Sequence, residues 1–348
     1  MIVTDAWFPQ TNGVVQTLAR TGMWLDHFGH EVKFVTPERF RSFACPTYPE
    51  IRLAWRPYSQ LADIADAFEP EAIHVATEGS LGLAARRYCI RRRYSFTTSY
   101  HTQFPHYLHA RMRMPKPVSY QALRWFHGAA ERCMVSTESI SNELASHGFR
   151  NIARWRRGVD TQLFHPRDKA FLDLPRPIAT YVGRLAVEKN VEAFLSMKWQ
   201  GSKLVIGDGP ERERLERAYP EASFVGYRFG EDLAAHLAAS DVMVFPSLTD
   251  TFGLVNLEAM ACGVPVAAFP AAGPRDVIRD GVTGILDNDL ALAASKALLL
   301  NPDDCRSYAL KWGWDVCSRD FERNLMPTRA YNARGAATGP AQLSRVSH

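Results

Sequence analysis

Two carboxylates, Asp250 and Glu258, stand eight positions apart on either side of a predicted loop-to-helix junction. An apolar strand over Asp241–Phe245 precedes the loop, and a helix is predicted over Gly253–Ala261. Asp250 is therefore expected at the loop tip, whereas Glu258 lies inside the helix among apolar neighbours. Because burying an unpaired charge is costly, Glu258 indicates a ligand or an arginine partner. The alternative is a helix whose polar side carries Glu258 without further role.

Two cations, Arg184 and Lys189, follow a predicted strand over Ile178–Gly183 and flank the start of the next helix. Ligands of parallel sheets bind at the carboxyl ends of strands, and the amino-terminal end of a helix favours anions. The two cations therefore suit a diphosphate, whose departure they would stabilise by charge complementarity. Spacing alone leaves open that both are solvated, but Glu258 in the same series of strands favours a site.

The first half of the chain supplies two further candidates. His101 follows a strand over Tyr94–Ser99, at the end where ligands bind. Gly13 lies at the first strand-to-helix turn, where a glycine lets the backbone approach an anion. The alternatives are a structural hydrogen bond for His101 and a plain tight turn at Asn12-Gly13.

Other patterns do not indicate a cofactor or metal site. Gly207-Asp-Gly-Pro is not a dinucleotide loop, because Arg212 stands where a third glycine is required, so a turn is predicted and a nicotinamide oxidoreductase loses its main support. Asp287-Asn-Asp289 precedes a helical run, which favours helix capping over metal binding. The six cysteines are scattered without a CxxC pair, so neither a zinc site nor a disulfide framework is indicated.

Basic side chains are concentrated in the first half of the chain. Residues 1–165 carry a net charge of +6 and residues 166–348 a net charge of −2. Within residues 106–127 basic residues alternate with aromatic and apolar ones, a composition suited to an anionic lipid interface. The alternative is an amphipathic helix with a solvated basic face, and no nucleic-acid-binding motif accompanies the segment. The candidate membrane or acceptor residues are Arg111, Arg113, Lys116, Arg124 and Trp125.

Strand and helix signals alternate along most of the chain, which predicts parallel sheets covered by helices on both faces. The signals of the first half cover Glu31–Thr36, Gln60–Phe68, Ala72–Val75, Leu81–Arg93, Tyr94–Ser99, Ser119–Glu131, Arg132–Val135 and Ser139–His147. Those of the second half cover Ile178–Gly183, Val191–Met197, Lys203–Ile206, Glu211–Tyr219, Ser223–Gly226, Glu231–Ala239, Ala291–Leu300 and Pro302–Phe321.

A proline-rich connection at Pro166–Pro177 separates the two series. We therefore expect an α/β protein with two doubly wound, Rossmann-like domains facing each other across a cleft. The predicted divisions are residues 1–168, residues 169–328 and a disordered tail over residues 329–348, with a last helix that could return to the first domain.

The sequence also carries expectations about location. No apolar run approaches the roughly 20 residues that span a bilayer, and no basic region of a signal peptide precedes the first strand. With the scattered cysteines, these features favour a reducing cytoplasm. The first strand, Met1–Thr4, is short, so we expect the chain to begin within that strand.

These motifs carry a family resemblance. The matching stretches are Pro9-Gln-Thr-Asn-Gly-Val-Val, Ser99-Tyr-His-Thr, Arg157-Gly-Val-Asp, Gly183-Arg-Leu, Glu188-Lys, Gly207-Asp-Gly-Pro and the run from Asp250 to Pro265. The chain resembles the retaining GT-B glycosyltransferases of glycosyltransferase family 4, up to about residue 325. Within that family it is similar to the branch that glycosylates diacylglycerol, whose members transfer sulfoquinovosyl, glucosyl, glucuronosyl or mannosyl units.

The resemblance implies a role for each candidate. Arg184 and Lys189 would hold the donor diphosphate and stabilise the leaving nucleoside diphosphate, so neither a metal nor another cofactor would be needed. Glu258 would bind the ribose hydroxyls, and His101 would line the reaction centre. The other donor-binding positions would be Gly13, Gly183, Gly226, Tyr227, Asp250, Phe252, Gly253 and Leu254.

Asp250 departs from the family pattern, which places Glu at both ends of this eight-residue interval. A carboxylate that is one methylene shorter could accept a sugar hydroxyl only from farther away or with the loop drawn in. The identity of the donor sugar therefore stays open, whereas the class of reaction does not.

The sequence thus predicts a cytoplasmic glycosyltransferase, peripheral on the inner face of the membrane, with retention of configuration. It would transfer a hexosyl unit from a UDP- or GDP-sugar to a lipid acceptor such as diacylglycerol. The alternatives are a soluble or polysaccharide acceptor, a sugar-nucleotide 2-epimerase and a non-catalytic nucleotide-sugar-binding protein. The base, the sugar and the oligomeric state are left open.

Overall fold

The computed structural model describes residues 1–10, 12–45, 48–103, 105 and 113–328. Arg111 and the predicted tail over residues 329–348 lie outside these described residues. The strands are β1 (Ile2–Val3), β2 (Phe34–Val35), β3 (Ser42–Cys45), β4 (Tyr48–Ala54), β5 (His74–Val75), β6 (Thr97–Tyr100), β7 (Arg132–Val135), β8 (Ile152–Arg154), β9 (Ile178–Val182), β10 (Ser202–Ile206), β11 (Ser223–Gly226), β12 (Val242–Phe245), β13 (Val266–Ala268) and β14 (Gly284–Leu286).

Two parallel six-stranded sheets contain most of these strands. The first sheet has the order β2-β1-β5-β6-β7-β8, and the second has the order β11-β10-β9-β12-β13-β14. In each sheet the chain starts at an inner strand, runs to one edge and then crosses back to build the other side. The predicted doubly wound α/β fold is therefore confirmed. The predicted domain division, between residues 168 and 169, lies in the connection between β8 and β9.

Helices connect the parallel strands. The α-helices are α1 (Gly13–His27), α2 (Tyr58–Phe68), α3 (Ser80–Arg92), α4 (Lys116–His127), α5 (Glu138–Ser146), α6 (Val191–Ser196), α7 (Arg212–Ala218), α8 (Gly230–Ala239), α9 (Leu254–Ala261), α10 (Ala272–Val277), α11 (Leu290–Ala297), α12 (Pro302–Ala309) and α13 (Trp314–Asn324). The middle strand β12 is buried along its whole length, because helices cover both faces of the sheet. Its four residues are therefore all apolar.

An antiparallel hairpin of β3 and β4 has no counterpart in the sequence predictions. Ser42 lies opposite Ala54, and Phe43 lies opposite Leu53. The two strands bond to each other and to neither parallel sheet, so they do not need the buried apolar run by which the other strands are recognised.

The prediction of one helical segment over Pro302–Phe321 is wrong, because two helices, α12 and α13, occupy it. The two helices are separated at the point where the chain segment that connects the two sheets, at Gly158 and Val159, passes beside them. The backbone N–H of Val159 donates to the carbonyl of Trp312 at 2.8 Å. A Cβ on Gly158 would lie 2.8 Å from Cα of Trp314, so the crossing requires a glycine and leaves no room for a continuous helix.

The last helix, α13, returns to the first domain. Arg156 donates from Nε to Asp320 Oδ2 at 2.7 Å, and Phe321 packs against the rings of Trp155 and His74. Beyond the helix, Thr328 Oγ1 donates to the carbonyl of Pro70 at 2.8 Å. The C-terminal segment therefore ties the two domains together.

Candidate active site

The loop after β9 places Arg184 at the carboxyl end of a central strand. Tyr181 is buried and donates from its hydroxyl to the carbonyl of Arg184 at 2.9 Å. Burial raises the pKa of Tyr181, which keeps its hydroxyl protonated as a donor. The side chain of Arg184 is partly buried. This loop occupies the position that was predicted for it.

A second loop, Gly207–Gly209, packs directly on the first. A Cβ on Gly207 would lie 1.9 Å from the carbonyl oxygen of Gly183, which no side chain tolerates. The backbone N–H of Leu185 donates to the carbonyl of Asp208 at 2.8 Å. These glycines serve backbone contact between two loops. The turn begins at Gly209, whose carbonyl accepts from the backbone N–H of Arg212 at 3.1 Å.

Lys189 and Asp250 contact each other. Lys189 Nζ lies 2.5 Å from Asp250 Oδ1, with side-chain exposures of 23% and 16%. The sequence assigned the two residues to different parts of a donor, the diphosphate and the sugar. The structure brings them together as an ion pair at the carboxyl ends of β9 and β12.

The loop from Asp250 to Leu254 is shaped by Gly253. Gly253 has φ +79°, and a Cβ there would lie 2.7 Å from the ring of Phe245, so the position requires glycine. The Phe252 side chain is buried against Trp312, which leaves only its backbone for contact with a ligand.

The N-terminus of α1 lies across from this loop. Asn12 caps the helix by accepting hydrogen bonds from the N–H groups of Val14 and Val15. A Cβ on Gly13 would lie 3.5 Å from Leu254 Cδ1. The structure therefore brings Gly13 and Leu254, two predicted donor-binding positions, together from different domains.

Glu258 is a partly buried carboxylate on α9. Burial raises its pKa to about 7, and the positive charge of Arg20 on α1 partly opposes that rise. Among the residues that the structure describes, no side chain or backbone group makes a hydrogen bond or ion pair with this carboxylate. The expected arginine is present only as a neighbouring charge, because Arg20 pairs with Asp160 at 3.3 Å.

Gly226 and Tyr227 lie at the end of β11. The Tyr227 hydroxyl donates to the carbonyl of Asp208 at 3.1 Å, and its ring stacks on Phe229 with centroids 5.8 Å apart. Tyr227 and Phe229 are exposed, so they form an aromatic ledge beside the Gly207–Gly209 loop. Such a ledge offers a face on which a planar base can stack.

His101 lies at the end of β6, and protein groups engage both of its ring nitrogens. Nε2 lies 2.9 Å from Ser99 Oγ, and Nδ1 lies 3.2 Å from Arg157 Nη2. Burial, followed by the positive charge of Arg157, lowers the pKa of His101 well below its ordinary value. The side chain is therefore a neutral, fixed part of the first domain's wall.

Thr251 joins the two domains beside the candidate site, and the sequence assigned it no role. Its hydroxyl donates to the carbonyl of His101 at 2.8 Å. Its own carbonyl accepts from the hydroxyls of Ser136 and Thr137 at 3.2 and 3.3 Å. The sequence shows a polar residue next to Asp250, but its partners become visible only in the folded protein.

Asp5 is a second residue that the sequence did not single out. Its buried carboxylate accepts hydrogen bonds from the N–H groups of Leu81 and Gly82 and from the hydroxyls of Thr77 and Ser80. Burial raises the pKa of Asp5, and these four donors oppose the rise. The N–H groups at the start of α3 are thus satisfied by a side chain of the protein itself.

The remaining predicted residues are the Asp287-Asn-Asp289 run and the candidates for membrane binding. Asp289 caps α11 by accepting from the N–H groups of Ala291 and Leu292, so the capping prediction for Asp287-Asn-Asp289 is confirmed. Of the membrane candidates, Lys116, Arg124 and Trp125 lie on α4, and Arg113 lies just before it. Arg124 and Trp125 are exposed.

Two family models match the chain. The model described as Glycosyltransferase Family 4 matches residues 11–163, and the model described as Glycosyl transferases group 1 matches residues 176–301. They cover the first and second domains respectively.

Relatives match over most of the chain. A GDP-mannose-dependent alpha-mannosyltransferase of Mycobacterium tuberculosis is 30% identical over 312 residues, which cover 82% of each chain. Sulfoquinovosyl transferase SQD2 of Arabidopsis thaliana is 32% identical over 322 residues, covering 83% of this chain and 63% of that one. Alpha-monoglucosyldiacylglycerol synthase of Streptococcus pneumoniae is 26% identical over 347 residues, covering 87% and 78%.

Solved structures share the fold. Sucrose-phosphate synthase from Thermosynechococcus elongatus superposes with a TM-score of 0.75 at 22% identity, covering 92% of this chain and 96% of that one. Anabaena HepE in complex with UDP and glucose superposes with a TM-score of 0.70 at 15% identity, covering 92% and 97%. The chain therefore belongs to glycosyltransferase family 4 and is a hexosyltransferase with the GT-B fold.

Proposed function

We propose that the protein transfers a hexosyl unit from a UDP- or GDP-sugar to a membrane lipid such as diacylglycerol, with retention of configuration. The observation that carries this proposal is the Glu258 carboxylate, which has no hydrogen-bond or ion-pair partner among the described residues. It lies on the helix that follows the Asp250 loop, and Asp250 contacts Lys189. A carboxylate in that position can accept hydrogen bonds from the hydroxyls of a ribose, while Lys189 and Arg184 supply the positive charge that a diphosphate requires.

The chemistry that these residues support needs no metal. Arg184 and Lys189 neutralise the charge that develops on the departing nucleoside diphosphate. The bond from C1 of the sugar to the diphosphate oxygen breaks as the acceptor oxygen bonds to C1 on the same face. The acceptor proton passes to the departing phosphate oxygen, so the neutral His101 is not required as a base.

The name of one relative, alpha-monoglucosyldiacylglycerol synthase, supports a lipid acceptor. The surface of the first domain adds to this support. The Arg86 guanidinium lies 3.8 Å from the ring centroid of Trp125, which is 59% exposed. The apolar side chains of Leu83, Ile90 and Val118 are also exposed on α3 and α4.

This combination of basic, aromatic and apolar groups on α3 and α4 suits the headgroup region of an anionic bilayer. No helix among the described residues is long and apolar enough to span a membrane. We therefore propose peripheral binding to the inner face of the membrane through these two helices.

The test is a panel of UDP- and GDP-hexoses incubated with vesicles that contain diacylglycerol and phosphatidylglycerol. We expect one donor to give a hexosyl-diacylglycerol mass with release of one nucleoside diphosphate, and an α-anomeric NMR signal. Activity is expected to persist with EDTA, and the K189A variant serves as the inactive control. An isomerised sugar nucleotide would instead support a 2-epimerase, and transfer only to soluble sugars would overturn the lipid acceptor.

A further inference from the structure

Arg157 is a buried cation whose hydrogen-bond partners among the described residues are all neutral. The residue is 4% exposed, and its guanidinium lies 4.2 Å from the ring centroid of Trp155. Nη1 donates to the carbonyls of Trp155 at 2.7 Å and Arg156 at 3.4 Å, and Nη2 faces His101 Nδ1 at 3.2 Å. No carboxylate within ion-pair distance of Arg157 occurs among the described residues. Since buried arginines are rarely left with only neutral partners, this one requires an explanation.

The charge of Arg157 determines the direction of hydrogen bonds in a buried series of side chains. An arginine can only donate, so Nδ1 of His101 must accept and Nε2 must carry the proton. Nε2–H therefore donates to Ser99 Oγ at 2.9 Å. A protonated His101 would place two N–H donors against each other at Arg157, so the neutral form is imposed.

The series of hydrogen-bonded side chains continues beyond Ser99. With its oxygen accepting from His101, the Ser99 hydroxyl can donate to His74 Nε2 at 2.9 Å. His74 Nδ1 then donates to Thr97 Oγ1 at 2.9 Å. Burial lowers the pKa of His74 to about 3, so this ring is neutral as well. The direction that Arg157 sets at His101 can therefore extend through Ser99 to His74.

The fixed His101 also anchors the donor side of the cleft. Its carbonyl accepts the hydroxyl of Thr251 at 2.8 Å, and Thr251 adjoins Asp250, which contacts Lys189. Loss of the contacts that hold the imidazole would leave the backbone of His101 less restrained, and a shift of that backbone would displace the carbonyl that accepts from Thr251. Orientation errors of about 1 Å near reacting atoms can cost roughly 10²-fold in rate.

We propose that Arg157 is a positioning residue for glycosyl transfer, which acts by locking His101 as its neutral Nε2–H tautomer. Through the His101 carbonyl, this lock holds the loop of Asp250 and Thr251 in place. The inference rests on the proposed function, because it concerns the same transfer site.

The experiment compares R157K, R157Q and R157M with the wild type. Long-range ¹H–¹⁵N spectra of ¹⁵N-histidine-labelled protein report the tautomer, and H101Q identifies the His101 signals. We expect the Nε2–H tautomer in the wild type, R157K and R157Q, since each offers a donor to Nδ1. R157M offers none, so His101 is expected to mix tautomers and kcat to fall about 10²-fold. R156Q is the matched control, because Arg156 is half-exposed and pairs with Asp320 instead.

An Nδ1–H or doubly protonated His101 in the wild type would overturn the proposal, and so would an unchanged tautomer and kcat in R157M. If R157M does not fold, two other results test the proposal. An Nε2–H tautomer in the wild type together with a kcat of R157Q close to that of R157K supports it, and failure of either overturns it. Transferase activity without the Nε2–H tautomer counts against Arg157 alone. The Nε2–H tautomer in a protein that transfers no sugar counts against the proposed function alone.

Discussion

Lys189 and Asp250 form a partly shielded ion pair, with Nζ and Oδ1 2.5 Å apart. Lys189, which is proposed to bind the diphosphate, thus pairs with Asp250, which is proposed to bind the sugar. A donor that binds here must share or replace this contact. If both proposed roles hold, diphosphate binding and sugar recognition are coupled through this single pair of side chains.

Replacing Lys189 with alanine is expected to lower kcat/KM by about 10² to 10³-fold, because the leaving diphosphate loses a positive charge. Steady-state kinetics with the donor found in the panel would measure the loss. K198A is the control, since Lys198 is an exposed lysine of the same domain. Near-wild-type kinetics in K189A would remove Lys189 from the site.

Asp250→Glu is expected to change donor preference rather than abolish activity. The added methylene advances the carboxylate toward the sugar and alters its contact with Lys189. Competition between pairs of nucleotide sugars gives the ratio of their kcat/KM values, and a change of about tenfold is expected for a shift of this size. Unaltered ratios of kcat/KM across the whole panel would show that Asp250 does not determine the preference for the donor sugar.

Glu258→Gln is expected to cut turnover strongly and to change how stability depends on pH. The pKa of Glu258 is about 7 in the folded protein and 4.5 in the reference state. Between these values the folded protein retains a proton that the unfolded chain has released, so the free energy of unfolding falls as pH rises from about 4.5 to 7. The variant lacks this slope.

E258Q should therefore be more stable than the wild type at pH 8, by about 2 to 3 kcal/mol, and the difference should vanish toward pH 4. Urea unfolding at several pH values measures it, and E213Q is the control because Glu213 is 92% exposed. The wild-type donor KM should fall as pH rises through about 7. A gain in stability that is independent of pH would contradict the assignment.

Asp5→Ala is expected to lower the free energy of unfolding by about 2 to 3 kcal/mol, because buried donors at the start of α3 lose their acceptor. D5N should cost less, since the amide oxygen can still accept. Denaturant unfolding measures both, against D63A on the exposed face of α2, which should change stability by less than about 0.5 kcal/mol. Equal stability of D5A and D63A would refute the capping role.

Trp125 and Arg86 are expected to contribute differently to membrane binding. R86Q should weaken co-sedimentation with phosphatidylglycerol vesicles roughly fivefold at low salt and have little effect at high salt, as expected for about 1 kcal/mol per basic side chain. W125A should weaken binding at every salt concentration. F171A is the control, because Phe171 is an equally exposed aromatic residue of the second domain. Identical losses in F171A and W125A would exclude a specific surface on α3 and α4.

Much of the fold could be predicted because local patterns carry it. The alternation of apolar strands and amphipathic helices specified two parallel sheets, and β7 and β11 have their predicted bounds. The β3–β4 hairpin and the break between α12 and α13 were missed. Both depend on backbone contacts with distant or neighbouring segments, which leave no periodic signal in the chain.

The sequence by itself determined which side chains can do chemistry: Arg184, Lys189, Asp250 and His101 in the segments that follow strands, and Glu258 within a helix. Their types and spacing can be read from the sequence, and local patterns predict the loops and the helix that carry them. Only the tertiary structure decided how they are partnered: Lys189 with Asp250, His101 with Arg157 and Thr251, and Glu258 with no hydrogen-bond or ion-pair partner among the described residues. These contacts join residues far apart in the chain, and the burial that shifts the pKa values of His101 and Glu258 is a property of the packed domains.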